Sequence, residues 1–94
     1  MKLEWSKDAL ADLDRFAAFL RQYYPSLSKI VAEEIIAKAQ ILAERPQLGH
    51  PIAGRPEYRQ VVLRVSKAAY VFQYRVDGHR LVMLRVFHGR ENRE

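Results

Sequence analysis

The chain has 94 residues, 49% of them hydrophobic, and no cysteine, which describes one domain with one core and excludes a disulfide scaffold or a thiolate zinc site. Neither a ~20-residue uncharged run nor the apolar stretch of a secretion signal is present, so a single domain over 1–94, cytoplasmic and away from membranes, is expected. The net charge of +5 is unevenly placed: Met1–Gly54 carries seven basic and seven acidic residues, whereas Arg55–Glu94 carries nine and four, an asymmetry that points to an anionic partner for the second half.

Residues 2–5 read as a short first strand. Ser6 stands at a helix N-cap position, with Asp8 in the first turn facing the positive end of the helix dipole. Ala9, Leu13, Phe16, Leu20 and one of Tyr23 or Tyr24 then recur at spacings of three and four, while Asp12, Asp14, Arg15 and Arg21 fill the polar remainder. Pro25 interrupts this helix, and Ser26 or Ser28 is placed to cap a second one carrying Val31, Ile35, Ala39 and Leu42 up to Arg45 and Pro46. The short connection implies an antiparallel helical hairpin. QLGHPIAGRPE, with two glycines and two prolines, reads as a rigid loop. Three strand-like runs follow at 58–65, 68–76 and 79–87, rich in β-branched and aromatic residues. Ser66-Lys67 and Asp77-Gly78 supply tight turns, the latter with the signature of a type I′ hairpin. The expected fold is α+β: an N-terminal helical hairpin packed on one face of a small, mainly antiparallel β-sheet, in the order β-α-α-β-β-β.

Alternation along each strand divides the sheet into two faces. Val61, Leu63 and Val65, then Tyr70, Phe72, Tyr74 and Val76, then Val82, Leu84 and Val86 form a nearly apolar set that belongs under the helices. The opposite set contains Val62 with Arg64, Val71 with Gln73 and Arg75, and Met83 with Arg85 and Phe87. One arginine per strand among apolar neighbours makes an uncovered face suited to carboxylate or phosphate, because guanidinium offers paired donors. A β-bulge would shift this register.

The ending VFHGRENRE places His88, Arg90 and Glu91 where the last strand stops. Histidine transfers protons near neutral pH and arginine stabilises phosphorane-like charge, so this group is the strongest chemical candidate. His50 and His79 sit in turns. The three histidines have no metal-ligand spacing, and no phosphate-binding glycine loop or nucleophile elbow is present, so neither metal nor cofactor is expected. Trp5, beside a helix start, is assigned to packing the hairpin on the sheet.

The order and spacing of WSKDALADL, ERPQLGHP, YVFQYRV and LVMLRVFHGREN resemble the RelE/ParE superfamily of type II toxin–antitoxin toxins, over nearly the whole chain. The resemblance implies a β-sheet backed by an N-terminal helical hairpin. It implies one of two activities: poisoning of DNA gyrase, as in ParE-like members, or cleavage of mRNA on the ribosome, as in RelE-like members. VFHGREN is closer to the ParE pattern. No tyrosine follows Tyr74, so the C-terminal tyrosine of many RNA-cleaving members has no counterpart, and Val71 stands about where such relatives carry a further arginine. The expectation is therefore a ParE-like toxin without its own catalytic centre that binds gyrase through its basic sheet region and C-terminal edge and is neutralised by a cognate antitoxin. Arg64, Arg75, Arg85, Phe87 and Arg90 are the residues expected to bind antitoxin or target, with Arg64, Arg75 and Arg85 foremost for the antitoxin. The alternatives are an endoribonuclease using His88 as acid or base, Arg90 on the phosphate and Arg64 to position RNA, and a non-toxic binding module.

Overall fold

A computed structural model describes residues 1–90. The elements in chain order are β1 (Lys2–Trp5), α1 (Lys7–Tyr23), α2 (Pro25–Glu44), a 3₁₀ turn (Pro46–Leu48), β2 (His50–Ile52), β3 (Arg55–Val65), β4 (Ala68–Asp77) and β5 (Arg80–His88). They form a five-stranded sheet of order β1-β5-β4-β3-β2. All neighbouring pairs are antiparallel except β1 with β5, since the helical hairpin carries the chain back across the sheet before β5 is reached. The α+β expectation holds, with one strand more than expected: the proline- and glycine-rich loop contains β2, whose His50 and Pro51 pair with Gln60 and Arg59. Its length of three residues and its central proline fit an edge position.

Ser6 caps α1 as its sequence position implies. Its Oγ accepts from the Ala9 N–H at 3.0 Å and donates to the Leu84 carbonyl at 2.9 Å, while its own N–H donates to the Met83 carbonyl at 2.9 Å. One residue thus starts the helix and pins it to β5. α2 begins earlier than its serines suggest, at Pro25 itself, because a proline in the first turn forfeits no helical hydrogen bond. One turn also differs from expectation, and the expected Ser66-Lys67 turn is present. The β4–β5 turn centres on Gly78-His79, one residue later, with the positive φ at its first central residue, Gly78, as type II′ requires. Ser66, at φ 56°, plays the same part between β3 and β4. The Glu34 carboxylate on α2 accepts from its N–H at 2.8 Å and its Oγ at 3.2 Å, holding a conformation that L-residues seldom adopt.

The core lies between the hairpin and one sheet face. Ala9 and Phe16 from α1 and Val31, Ile35, Ala39 and Leu42 from α2 meet Val65, Tyr70, Phe72, Tyr74, Leu81, Met83 and Val86, with Trp5, Leu13 and Leu20 packed around them. Tyr74 carries its hydroxyl into this core without leaving it unsatisfied: the oxygen accepts from the Gly49 N–H at 2.8 Å and donates to the Pro46 carbonyl. Gly49 is required here, because a Cβ would lie 2.5 Å from that hydroxyl.

The face assignment holds for β3 and β4 and fails for half of β5. Gln73 pairs with Arg85 but Tyr74 pairs with Met83, so Leu84 is an extra residue in β5. This bulge reverses the alternation on its N-terminal side. Leu81 and Met83, both fully buried, lie under the helices, whereas Val82 belongs to the opposite face and Leu84 is half-buried at the bulge. Tyr23 and Tyr24 depart from expectation together: both are more than half exposed rather than divided between core and surface.

Candidate functional site: a basic sheet face and an apolar groove

Two surfaces gather the residues singled out in the sequence. On the uncovered sheet face, a cross-strand row of Val62, Val71 and Phe87 lies beside a second row of Gln60, Gln73 and Arg85, with Gln73 Nε2 donating to Gln60 Oε1 at 2.7 Å. Arg64, exposed, stands at one end of this face and Arg75 at the other. Arg75 has an ion-pair distance of 3.9 Å to Asp77, and its buried Nε–H has no partner. Near it, the Arg55 guanidinium lies 5.6 Å from the ring centre of Tyr58, the cross-strand partner of Arg75.

Arg85 does not project freely from this face, which corrects the expectation of three matching arginines. Its guanidinium lies over the Phe87 ring at 4.7 Å and reaches round the β5 edge to α1. There Nε donates to Asp12 Oδ2 and an Nη to Oδ1, both at 2.9 Å. Asp12 is 1% exposed and also accepts from the Val86 N–H at 2.8 Å and from Arg15 at 2.7 Å. Burial alone would raise its pKa. The hydrogen bonds from Arg85, Arg15 and Val86, with the charge of Arg85, outweigh that and hold the carboxyl below the ordinary aspartate value. The sequence pattern put Asp12 on the polar side of α1; the bulge makes it the residue that satisfies a backbone N–H of β5 left unpaired beyond β1. An acid nearly two turns beyond the N-cap Ser6 and on the apolar arc between Ala9 and Phe16 was the available signal.

The second surface lies on the helix side. There Phe16, Phe19, Leu20, Tyr24, Leu27 and Val31 of the hairpin face Val65, Ala68 and Tyr70 of the sheet across a groove of about 670 Å³. Arg15, Lys67, His88 and Arg90 also line it, with no acidic residue among its lining. His88 pairs with Tyr70 across β4 and β5, with ring centres 5.0 Å apart, and Tyr70 packs edge-on against Phe16 at 5.3 Å. The chain then turns: the Gly89 N–H donates to the Ala69 carbonyl at 2.7 Å, an approach that leaves no room for a Cβ, and the Arg90 N–H donates to His88 Nδ1 at 3.1 Å. That bond places the neutral-form proton of His88 on Nε2.

His88 and Arg90 are therefore brought together, while Arg64 stands on the opposite sheet face from them. Phe87 faces with Arg64, Arg75 and Arg85; Glu91 lies outside the described residues. The groove was missed in the sequence because its floor is built from residues that pattern as core. Among the described residues no cluster of His, Asp or Glu is arranged to hold a metal ion, and no helix is long and apolar enough to cross a membrane.

The fold is that of known toxins. The toxin–antitoxin system ParDE from P. aeruginosa includes a chain that superposes with a TM-score of 0.75 at 23% identity, covering 94% of this chain and 95% of that one. The E. coli RelBE complex gives 0.63 at 18% identity, covering 96% and 98%. A YoeB/ParE toxin from Agrobacterium tumefaciens gives 0.55 at 19%, covering 94% and 98%. No curated relative matches by sequence. The family model for the ParE toxin of the type II toxin–antitoxin system parDE matches residues 3–93, and the chain belongs to that family.

Proposed function

We propose that this protein inhibits DNA gyrase by binding it, without catalysis of its own, and that a cognate antitoxin with an acidic segment neutralises it. Membership of the ParE family supports the target. The observation that carries the choice between inhibitor and nuclease is the separation of Arg64 from His88 and Arg90. An endoribonuclease needs its acid–base group, its phosphate-binding cation and its RNA-positioning cation around one scissile phosphate. Here the sheet itself stands between the first two and the third. His88 is further engaged in packing on Tyr70 and in accepting the Arg90 N–H.

Binding, by contrast, can use both surfaces. The sheet face offers arginines beside an apolar row in which Val62 is well exposed, and the groove offers aromatic and aliphatic walls with a cationic rim, so an acidic chain with apolar side chains finds burial and charge pairing at either. The test uses purified protein in two assays. Supercoiling by gyrase should be inhibited in proportion to added protein, and messenger RNA in a translating extract should remain intact. Cleavage that disappears in His88→Ala, with supercoiling untouched, would replace this reading with the ribonuclease one.

A further inference from the structure

Asp12 joins the two surfaces. It is a single buried carboxylate shared by two arginines that belong to different faces: Arg15, which lines the helix-side groove and lies 4.8 Å from the Phe16 ring centre, and Arg85, which stacks on Phe87 of the open sheet face. Each side chain is about two-fifths exposed, so an acidic group arriving from solvent can reach either one. Drawing one arginine away leaves Asp12 with the other and with the Val86 N–H. Drawing both away leaves a buried charge with a single backbone donor, which is strongly unfavourable.

We propose that Asp12 is an internal counter-ion that makes the two faces antagonistic: an acidic protein segment that engages Arg15 in the groove locks Arg85 onto Asp12 and weakens anion binding on the sheet face, and the converse holds. This rests on the reading that the partner is acidic. It adds a route by which a segment bound at the groove disables a surface on the far side of the sheet without covering it. Because the coupling is a free energy between sites, it must be equal in both directions.

The test uses the full chain and an oligoglutamate peptide, followed by NMR at low salt. Signals of Arg85 and Phe87 report the sheet face, and those of Tyr70 and His88 report the groove. Arg15→Gln should weaken peptide binding at the sheet face by about tenfold, although Arg15 is not part of that face, because Arg85 must then serve Asp12 alone. Lys67→Gln removes the same charge from the same groove without touching Asp12, and should leave sheet-face binding unchanged. Arg85→Gln should in turn weaken binding at the groove, because Arg15 must then serve Asp12 alone. Equal losses from Arg15→Gln and Lys67→Gln would reduce the effect to long-range charge and overturn the proposal. No loss from Arg15→Gln would show two independent faces and overturn it while leaving the acidic-partner reading intact. Failure of the peptide to bind either face in the wild-type chain would overturn both.

Discussion

Asp12 and Arg85 are separated by most of the chain yet form a two-point ion pair in which Nε and an Nη of the arginine each donate to a carboxylate oxygen at 2.9 Å. The pair sits where β5 bulges and where β1 no longer covers its edge. It therefore fixes the register of the last strand and seals an edge N–H against outside strands. Removing the carboxylate as Asp12→Ala strips four donors of their acceptor at once. The expected cost is about 2–4 kcal/mol, short of a fully buried pair because both arginines retain access to water. Urea denaturation should show this loss, whereas Asp14→Ala, an exposed position on the same helix, should change little.

The same carboxylate predicts an acid limit. Its pKa is below the ordinary value in the folded chain, so the folded state binds the proton less readily than the unfolded one. The stability this supplies is present above the unfolded-state pKa and is lost as pH falls through the folded value. Melting temperature should therefore decline below the usual aspartate range. In Asp12→Asn the decline over that window should be shallower. Matching acid profiles in the two proteins would count against Asp12 as the responsible group.

Tyr74 and Gly49 form the latch that joins the α2–β2 connection to the core. Tyr74→Phe keeps the ring but leaves the Gly49 N–H and the Pro46 carbonyl without their partner, a loss of about 1–3 kcal/mol. Gly49→Ala attacks the same latch from the other side, by placing a methyl group against the hydroxyl. Because both changes break one contact, their effects should not add. A double variant as unstable as the sum of the two singles would contradict the latch.

The sequence revealed most where a period repeats and least where it is broken. Val31, Ile35, Ala39 and Leu42 were readable as the buried stripe of α2, and Tyr70, Phe72 and Tyr74 as the covered side of β4, because each obeys the geometry of one regular element. β5 was read wrongly on its N-terminal side because a bulge is one inserted residue with no compositional mark: nothing about Leu84 distinguishes it from a neighbour that pairs. Asp12 was misread for a related reason. Its burial answers to a backbone N–H more than seventy positions away, which no local pattern records. The His88–Arg90 group was visible as chemistry, and the side of the sheet that His88 serves follows the alternation through Val86, which the bulge leaves intact, but the groove it borders depended on how the hairpin tip sits over the β3–β4 turn.

Glu34 holds that turn. With its carboxylate accepting from both Ser66 donors, Ser66→Gly should cost little, since glycine adopts the positive φ without help and keeps the N–H contact. Glu34→Gln should cost more, and Glu34→Ala more still. If Ser66→Gly restored the stability lost in Glu34→Ala, relief of backbone strain would be the main service Glu34 performs. The turn carries Lys67 and borders the groove, so loosening it should also weaken an acidic partner at the groove more than at the sheet face.

Charge reversals on the sheet face separate binding from folding only if the right arginine is chosen. Arg85→Glu would set a second carboxylate beside buried Asp12, so weakened binding in that variant would partly report a damaged β5. Arg64 is exposed and paired across the sheet with Ala69, away from Asp12. Arg64→Glu should therefore leave the melting temperature close to wild type. It should lower affinity for an acidic antitoxin severalfold at low salt, with the difference shrinking as salt rises. Arg90→Glu should act likewise from the groove side. Calorimetry on both variants assigns the antitoxin to a face: a loss confined to Arg90→Glu places it in the groove, a loss confined to Arg64→Glu places it on the sheet, and no loss in either removes these cations from the interface.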